Sequence, residues 1–295
     1  MTLFEAGFVP VPGGRIFTLS AGHGPLLVFA HATGMCARAY LPLLGPLAAW
    51  FRVVAYDARG HGATELPADP AHVPADWLVY RADLAALVAA LGGGPVHLVG
   101  HSMGATMAFE AAVEQPGLAS SVTLIDPPMI PFAEAARWRA ARDAEAEVPN
   151  PMAAQAARRR ATFPSRAAAR GASRGRGVVA GWSEEELGAS LGGGLRPEGE
   201  GVRLACAPAW EAATFRGVST TLEASFRAAR LPFALLMAGE GSTVPPAEEA
   251  AVRAMHPSAP IRRFPGTGHF LPVTHADLVR PWLGWAGDQG ALPDR

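Results

Sequence analysis

The sequence predicts an α/β protein built on a mostly parallel, doubly wound sheet with an inserted helical segment. Two features predict this fold class. Short apolar runs alternate with longer segments rich in Ala and Leu over the first third of the chain, and the same alternation resumes near the C-terminus. Parallel neighbours in a sheet need long crossover connections, usually helices, which cover both faces of the sheet. The alternation therefore favours a parallel sheet between two layers of helices.

The individual elements follow from the same runs. The chain opens with a predicted hairpin, in which Pro12-Gly13-Gly14 forms the turn between strands at 8–11 and 15–19. Further strands are predicted from short apolar runs, at 26–30, 52–56, 96–99, 121–125, 233–238 and 261–264. Helices are predicted from the longer segments, at 41–50, 75–91 and 103–114. These connections are long enough to return the chain to the start of a parallel neighbour.

The alternation stops after Pro127-Pro128. Residues 130–230 are polar and dense in Ala and Arg, and no strand is predicted there. We therefore expect a core formed by residues 1–129 and 231–295, with residues 130–230 inserted between its two parts as a helical cap.

The composition excludes several functional classes. The chain has 295 residues, of which 49% are hydrophobic, and a formal net charge of -1. It therefore lacks the basic surface that binding to nucleic acid requires. All 25 basic residues are arginine, which excludes chemistry that starts from a lysine amine. We expect a small-molecule substrate and no nucleic-acid partner.

The number of cysteines and the length of the apolar segments indicate in which cellular compartment the protein is expected. Cys36 and Cys206 are far apart in the sequence and form neither a disulfide framework nor a cysteine-rich zinc site. The first residues do not form a basic segment followed by an apolar one, and no stretch approaches ~20 uninterrupted apolar residues. The sequence thus predicts a cytoplasmic protein without a membrane partner.

The strongest catalytic signal is Gly100-His101-Ser102-Met103-Gly104, which directly follows a predicted strand and begins a predicted helix. In such a strand-to-helix elbow the serine lies on a sharp turn, and the flanking glycines let strand and helix approach closely. The hydroxyl then projects at the C-terminal edge of the sheet. There the N-terminus of the helix, and the Met103 N–H in particular, faces any oxyanion that forms. We therefore expect Ser102 to be a nucleophile.

Two upstream motifs support this interpretation. His31-Ala32-Thr33-Gly34 follows one predicted strand, and Asp57-Ala58-Arg59-Gly60-His61-Gly62 follows the next. Together with the serine elbow, and in this order, they resemble the α/β-hydrolase fold family, and the resemblance covers the core on both sides of the cap. It implies that the first loop donates a backbone N–H to an oxyanion hole. The donor is Thr33 or Ala32, because this chain has alanine where the family usually has glycine.

A serine nucleophile needs a base from elsewhere in the chain, which contains nine histidines. Gly266-Thr267-Gly268-His269-Phe270 lies directly after the last predicted strand, where the resemblance implies the histidine of a catalytic triad. We therefore expect His269 to be the base. His101 is adjacent to Ser102, but neighbouring side chains on an elbow point apart, so His101 is expected to shape the pocket instead.

The third member of the triad departs from the usual pattern. The family usually carries an aspartate three residues after the glycine that ends the penultimate strand, and that position is Ser242 here. Some members carry the acid at the end of the strand after the nucleophile helix, where this chain has Asp126. Pro127 ends that strand at the C-terminal edge of the sheet, from which Asp126 can accept a hydrogen bond from His269. Glu240 is the alternative acid.

The cap is expected to select the substrate, because specificity in such folds lies in the loops above the edge of the sheet. Candidate pocket residues are His31, His101, Met129 and Trp210. Large apolar side chains in the cap fit an apolar substrate, while most of them are expected to pack the cap against the core. For His31 and Asp57, hydrogen bonds that stabilise turns are the expected role.

Together these residues predict a serine hydrolase that cleaves an apolar carboxylic ester or lactone through an acyl-enzyme intermediate. Such chemistry needs no cofactor, and no histidine and carboxylate cluster has the spacing of metal ligands. C–C bond hydrolases and perhydrolase-like enzymes use the same triad and are alternatives. An alternative of a different class is a ligand-binding protein descended from a hydrolase, in which the vacated acid position weakens turnover.

Overall fold

The computed structural model describes residues 2–71, 75–144, 146 and 148–284, so residues 285–295 of the predicted core lie outside it. The strands are β1 (Glu5–Val11), β2 (Gly14–Ala21), β3 (Leu26–Ala30), β4 (Arg52–Tyr56), β5 (Val96–His101), β6 (Ala119–Ile125), β7 (Thr162–Phe163), β8 (Leu195–Glu198), β9 (Gly201–Leu204), β10 (Phe233–Ala238) and β11 (Ile261–Phe264). An eight-stranded sheet has the order β1-β2-β4-β3-β5-β6-β10-β11, and a three-stranded sheet has the order β7-β9-β8.

The α-helices are α1 (Leu41–Leu44), α2 (Leu78–Ala90), α3 (Met103–Glu114), α4 (Phe132–Asp143), α5 (Pro151–Ala157), α6 (Arg166–Ser173), α7 (Glu184–Gly194), α8 (Pro208–Arg216), α9 (Leu222–Ala228), α10 (Pro246–Met255), α11 (Leu271–Thr274) and α12 (Ala276–Val279). Short 3₁₀ helices lie at Ala37–Tyr40, Gly45–Ala49, Ala75–Trp77, Gly177–Val179 and Arg280–Trp282. Within the described ranges, none of these helices is long and apolar enough to cross a membrane.

The predicted fold class is confirmed. β1 and β2 form an antiparallel hairpin, and β2 also pairs antiparallel with β4. Every other pairing in the large sheet is parallel. Buried apolar clusters lie on both faces of this sheet, as the alternation of strands and crossover helices requires.

Most predicted elements of the core match the structure closely, and two predicted helices differ. The helix predicted at 75–91 is α2 at Leu78–Ala90, preceded by a 3₁₀ turn in which Asp76 and Trp77 have φ of +48° and +54°. The strands predicted at 26–30, 52–56, 233–238 and 261–264 and the helix predicted at 103–114 have the observed bounds. The helix predicted at 41–50 is instead the four-residue α1 between two 3₁₀ helices. Gly45-Pro46 explains the difference, because proline lacks the N–H that a continuous helix needs at that position.

The inserted segment differs from its prediction, because it contains strands as well as helices. α4 to α9 lie between β6 and β10, and β7, β8 and β9 form the small antiparallel sheet among them. β8 and β9 turn at Gly199, whose φ is +53°. Each of the three strands has only two to four residues, and β8 includes Arg196 and Pro197. Such short, polar strands carry no apolar alternation from which they can be predicted.

The parallel strands place all the predicted catalytic segments at one edge of the sheet. β3, β5, β6, β10 and β11 run in the same direction, so the residues that follow each of them emerge together. These residues begin at His31, Ser102, Asp126, Gly239 and Pro265. The candidate site is built from the five loops at this edge.

Candidate active site

Ser102 occupies a strained turn between β5 and α3. Its φ is +55° and its ψ is −122°, in the left-handed half of the map that non-glycine residues rarely enter. A Cβ on Gly100 would lie 2.2 Å from the Gly104 carbonyl oxygen, and a Cβ on Gly104 would lie 2.2 Å from the Ala30 carbonyl oxygen. Both glycines are therefore required for α3 to begin so close to the sheet, as the sequence motif predicts.

Asp126 and His269 form a close hydrogen-bonded pair. The distance from His269 Nδ1 to Asp126 Oδ2 is 2.6 Å, and the Asp126 side chain is fully buried. Because a carboxylate can only accept, Nδ1 carries the proton, and the Nε2 atom of a neutral His269 is left as a base. The φ of Asp126 is +45°, so the acid lies on a second left-handed turn.

Four further hydrogen bonds hold the Asp126 carboxylate. Its Oδ1 accepts from the Ala238 N–H at 3.0 Å and from Ser242 Oγ at 2.6 Å. Its Oδ2 accepts from the N–H and from Oγ1 of Thr243, at 3.1 Å and 3.4 Å. Burial alone would raise the pKa of Asp126, but the hydrogen bonds from His269, Ser242 and Ala238 outweigh it and lower the pKa. The carboxylate is thus ionised and fixed in direction.

Of the two carboxylates considered for the acid, the structure brings Asp126 to His269. Glu240 is exposed, and its backbone N–H donates to the Thr267 carbonyl at 2.9 Å. The vacated acid position, Ser242, contributes a donor to Asp126 instead. The sequence reveals that vacancy, but it does not reveal that Ser242 and Thr243 support the acid on the neighbouring strand.

His101, which precedes Ser102 in the sequence, lies next to His269. Ser102 is 9% exposed and the His269 side chain is 22% exposed. The rings of His101 and His269 are 4.8 Å apart between centroids. Within the described residues no hydrogen bond joins the Ser102 hydroxyl to His269. In enzymes of this kind that bond often tightens only when substrate is bound.

Two backbone N–H groups stand free beside Ser102. Thr33 Oγ1 lies 3.4 Å from Met103 Sδ, so the loop after β3 touches the start of α3. The Ala32 N–H donates to the Tyr40 hydroxyl at 3.3 Å, and the Gly34 N–H donates to His61 Nε2 at 3.0 Å. The N–H groups of Thr33 and Met103 have no acceptor in the described part of the chain. Of the two donors that the sequence leaves open, Thr33 is therefore the one with a free N–H.

His31 and Asp57 make backbone hydrogen bonds beneath this loop. His31 Nδ1 lies 2.7 Å from the Ala32 carbonyl, and His31 Nε2 accepts from the Ala58 N–H at 2.9 Å. Asp57 accepts from the N–H groups of Ala37 and Ala63, at 2.8 Å and 2.7 Å. Burial lowers the pKa of His31 to about 4, so the ring is neutral. These are the bonds expected of residues that stabilise turns.

The predicted pocket residues lie deeper than expected. His31 and His101 have no exposed surface, and Met129 is also buried, with its N–H donating to the Thr243 carbonyl at 3.0 Å. Trp210 packs against Gly60, and its indole N–H donates to the Arg59 carbonyl at 3.1 Å. The ring nitrogens of His31 and His101 and the indole N–H of Trp210 are already hydrogen-bonded within the protein.

Trp182, which the sequence does not single out, packs against the loop that carries His269. Its ring is 5.3 Å from that of Phe270 in an edge-to-face contact, and Phe270 stands 5.2 Å from the His269 ring. Trp182 is half-buried. It thus presents an apolar surface next to the loop that carries His269, and the sequence alone does not distinguish it from the other tryptophans.

The match to a family model decides to which group of proteins this site belongs. A model described as the alpha/beta hydrolase family matches residues 27–282. The chain belongs to the alpha/beta hydrolase family. The matched segment begins in β3 and ends just beyond α12, so it contains the serine elbow, Asp126 and His269.

Known hydrolases of the family resemble the whole chain. A 2-(acetamidomethylene)succinate hydrolase of Mesorhizobium japonicum is 27% identical over 259 residues, which are 88% of this chain and 86% of that protein. The crystal structure of an E-2-(acetamidomethylene)succinate hydrolase has a TM-score of 0.74 and 23% identity, covering 95% of this chain and 98% of the other. A thioesterase domain from the curacin biosynthetic pathway has a TM-score of 0.73 and 21% identity, covering 94% and 97%. The two structural matches show the shared hydrolase fold.

Proposed function

We propose that this chain is a serine hydrolase that cleaves a carboxylic ester or lactone through an acyl-enzyme intermediate. One observation carries the proposal. His269 donates from Nδ1 to the buried Asp126 carboxylate at 2.6 Å, on loops that emerge at the same edge of the sheet as the Ser102 elbow. This arrangement supports the roles of nucleophile, base and acid for Ser102, His269 and Asp126.

In the first step Ser102 Oγ attacks the carbonyl carbon while His269 Nε2 takes the hydroxyl proton. The carbonyl oxygen becomes an oxyanion and accepts hydrogen bonds from the Thr33 and Met103 N–H groups. The ionised Asp126 stabilises the imidazolium that forms on His269. When the tetrahedral intermediate collapses, the bond to the leaving alkoxide breaks, and His269 returns the proton to that oxygen.

In the second step a water molecule attacks the acyl-enzyme. His269 takes a proton from the water, and the same N–H groups hold the second oxyanion. Collapse releases the carboxylic acid and returns the proton to Ser102 Oγ. In a lactone the alcohol and the acid remain in one product molecule, so the two steps open the ring.

The surroundings of the site support a small, partly apolar substrate. We infer that residues 130–230 form the cap over the core, held there by Trp210 on the turn after β4. Trp182 and Phe270 offer an apolar surface beside His269. Cys36 and Cys206 are both buried and unpaired, which supports a reducing, cytoplasmic location for the enzyme.

A specific observation favours a second candidate, the hydrolysis of an N-acyl group from an acidic substrate. The relative that covers 88% of the chain is named for a succinate that carries an acetamidomethylene group. Arg159 stands beside the oxyanion loop, since a Cβ on Gly34 would lie 3.5 Å from Arg159 Nη1. Glu211 pairs with Nη1, and the Nε and Nη2 groups of the Arg159 guanidinium have no partner among the described residues. They can bind a substrate carboxylate.

A fluorophosphonate probe tests whether Ser102 is activated. We expect the wild-type protein to be labelled, Ser102→Ala to lose labelling, and His269→Ala to be labelled far more slowly. His275→Ala is the matched control, because His275 is exposed and its ring hydrogen-bonds to the adjacent Thr274. An unlabelled wild-type protein would contradict the proposal and support the ligand-binding alternative.

A substrate screen separates the candidate linkages. Esters of different acyl length, lactones of different ring size, a C–C substrate with two flanking carbonyls, peroxide with acetate, and an N-acyl enamine of succinate are compared, with Ser102→Ala as the blank. Faster turnover of esters or lactones supports the first candidate. Turnover of the acidic amide, with a KM that rises in Arg159→Gln and not in the neighbouring Arg158→Gln, supports the second.

A further inference from the structure

A buried chain of hydrogen bonds joins the oxyanion loop to the loop that carries His269. Its middle members are Tyr40 and His101, which have no exposed surface. The Tyr40 hydroxyl lies 3.3 Å from the Ala32 nitrogen and 2.8 Å from His101 Nδ1. At the other side of the ring, His101 Nε2 lies 2.8 Å from the His269 carbonyl oxygen. Each of these contacts links segments that are distant in the sequence, apart from the one between Ala32 and Tyr40.

The partners fix the direction of every bond in this chain. A carbonyl oxygen only accepts, so His101 Nε2 carries a proton and donates to His269. In a neutral ring Nδ1 is then the acceptor, and the Tyr40 hydroxyl donates to it. The Tyr40 oxygen in turn accepts from the Ala32 N–H. The donor and acceptor capacity of each group is thus used without conflict.

The neutral state of His101 follows from its surroundings. Burial lowers the pKa of His101 well below its usual value of 6.5, and the nearby charge of a protonated His269 lowers it further. The Asp126 carboxylate acts in the opposite direction but is the smaller influence. A neutral His101 leaves the site free of a second positive charge when His269 takes its proton.

We propose that Tyr40 and His101 are positioning residues, which hold the backbone of His269 and the amide of Ala32 in fixed relation to Ser102. The proposal rests on the proposed function, in which His269 is the base. The bond from His101 orients the main chain from which the His269 imidazole projects. The Tyr40 oxygen accepts from the Ala32 N–H, which leaves the Thr33 N–H as the oxyanion donor. Neither residue touches the substrate, so both act through their neighbours.

This role predicts a loss of kcat with little change in KM. Tyr40→Phe keeps the ring and removes the hydroxyl, which leaves His101 Nδ1 without a donor. We expect kcat and the rate of fluorophosphonate labelling to fall about tenfold, the effect of one lost hydrogen bond. Tyr80→Phe is the matched control, because its buried hydroxyl bonds Thr214 at the same 2.8 Å but contacts neither loop.

Rescue by a conservative variant separates positioning from packing. Glutamine carries an amide N–H at the reach of histidine Nε2, so His101→Gln keeps the donor to His269, whereas His101→Leu keeps only the volume. We expect His101→Leu to lose more than tenfold in kcat and His101→Gln to recover most of that loss. His97→Leu, on the same strand and hydrogen-bonded to Ser121, is the control. Equal losses in both His101 variants, or none in either, would overturn the proposal.

Nitrogen-15 NMR of the histidine rings tests the chain of bonds without using activity. We expect His101 to be the neutral Nε2–H form at neutral pH, and the His269 ring signals to shift in Tyr40→Phe but not in Tyr80→Phe. A His101 ring protonated on Nδ1, or His269 signals that do not respond, overturns the positioning role even if Ser102 proves active. Conversely, an unlabelled wild type with the expected NMR result contradicts the hydrolase function and leaves the bonded chain established.

Discussion

Ser242 Oγ donates a hydrogen bond of 2.6 Å to Asp126 Oδ1. Ser242 stands on the loop after β10, and Asp126 ends β6, the neighbouring strand. In the proposed triad the carboxylate thus comes from the strand next to the one that usually supplies it in α/β hydrolases, and the serine at the usual position donates to it. Both positions follow parallel strands and lie at the same edge of the sheet.

The first prediction concerns the identity of the acid. Asp126→Asn keeps the shape of the side chain but replaces the carboxylate with a neutral amide. The Nδ1–H tautomer of His269 is then no longer fixed, and the imidazolium loses its counter-charge. We expect kcat to fall by about 10⁴-fold, the effect known for this change in a serine triad. Steady-state kinetics on the best ester or lactone from the screen measures it.

Glu240→Gln is the control for this prediction. Glu240 is exposed, so we expect its variant to remain within about twofold of wild type, as is usual for a surface substitution. If the large loss occurred in Glu240→Gln instead, Glu240 would be the acid, and the contact between Asp126 and His269 would be structural.

The second prediction concerns the oxyanion hole. Thr33→Pro removes the free N–H, and we expect kcat to fall by about 10²- to 10³-fold with KM almost unchanged, as for the loss of one oxyanion donor. Thr33→Val keeps that N–H and removes only the Oγ1 contact with Met103 Sδ, so its kcat is expected to remain near that of wild type. Circular dichroism and urea midpoints check that both variants fold. A loss of equal size in Thr33→Val would mean that the hydroxyl, and not the backbone, does the work.

Much of the core could be predicted from the sequence, because buried parallel strands and their glycine-flanked turns leave local signals. The strand at 26–30 is a continuous apolar run that ends at a turn, while the strand at 261–264 has apolar residues only at its two ends, and the structure gives both the predicted bounds. The elbow was predictable for a similar reason. A side chain on Gly100 would clash with the nearby Gly104 carbonyl, and a side chain on Gly104 would clash with Ala30 of the adjacent strand.

What the sequence does not reveal depends on contacts between distant segments. Tyr40 and His101 are 61 positions apart, and no pattern around Tyr40 indicates that its hydroxyl will reach that ring. The pairing of Asp126 with Ser242 spans 116 positions, and it can be inferred only after the strand order is known. The strands of the small sheet cannot be predicted, because they are too short and too polar to show the alternation of apolar and polar residues that is typical of a strand.

The third prediction concerns Trp210, which the sequence suggests for the pocket and the structure places against Gly60. Trp210→Phe removes the bond to the Arg59 carbonyl and keeps most of the packing, so we expect the free energy of unfolding to fall by about 1 kcal/mol. Trp210→Ala leaves a cavity between α8 and the turn after β4 and is expected to lower the free energy of unfolding by about 3–5 kcal/mol. Urea unfolding measures both changes.

Kinetics on the folded Trp210→Phe variant separates packing from substrate contact. If Trp210 only packs α8 against the turn after β4, Trp210→Phe changes the KM of the smallest and of the largest accepted substrate by the same factor. If KM rose only for large substrates, the indole would line the pocket after all, and the sequence-based interpretation would be right.

The last prediction concerns Glu110, a fully buried carboxyl on α3 that binds the segment directly before α9. It accepts hydrogen bonds from Ser219 Oγ at 2.6 Å and Thr221 Oγ1 at 2.8 Å, and Arg81 Nη2 lies 2.9 Å from its other oxygen. Burial raises the pKa of Glu110 from 4.5 to about 7, because the penalty of removing its charge from water exceeds the effect of Arg81 and the hydroxyl groups.

A folded-state pKa above the unfolded value means that Glu110 contributes most to stability when protonated. Its contribution is fully present below about pH 4.5 and is lost as the pH rises to about 7, with a slope of up to about 1.4 kcal/mol per pH unit. Glu110→Gln cannot titrate, and the other groups cancel in the comparison. We therefore expect the unfolding free energy of wild type, relative to Glu110→Gln, to fall between about pH 5 and 7 in urea titrations. A difference independent of pH would mean that Arg81 keeps Glu110 ionised throughout, and that the ion pair outweighs the cost of its burial.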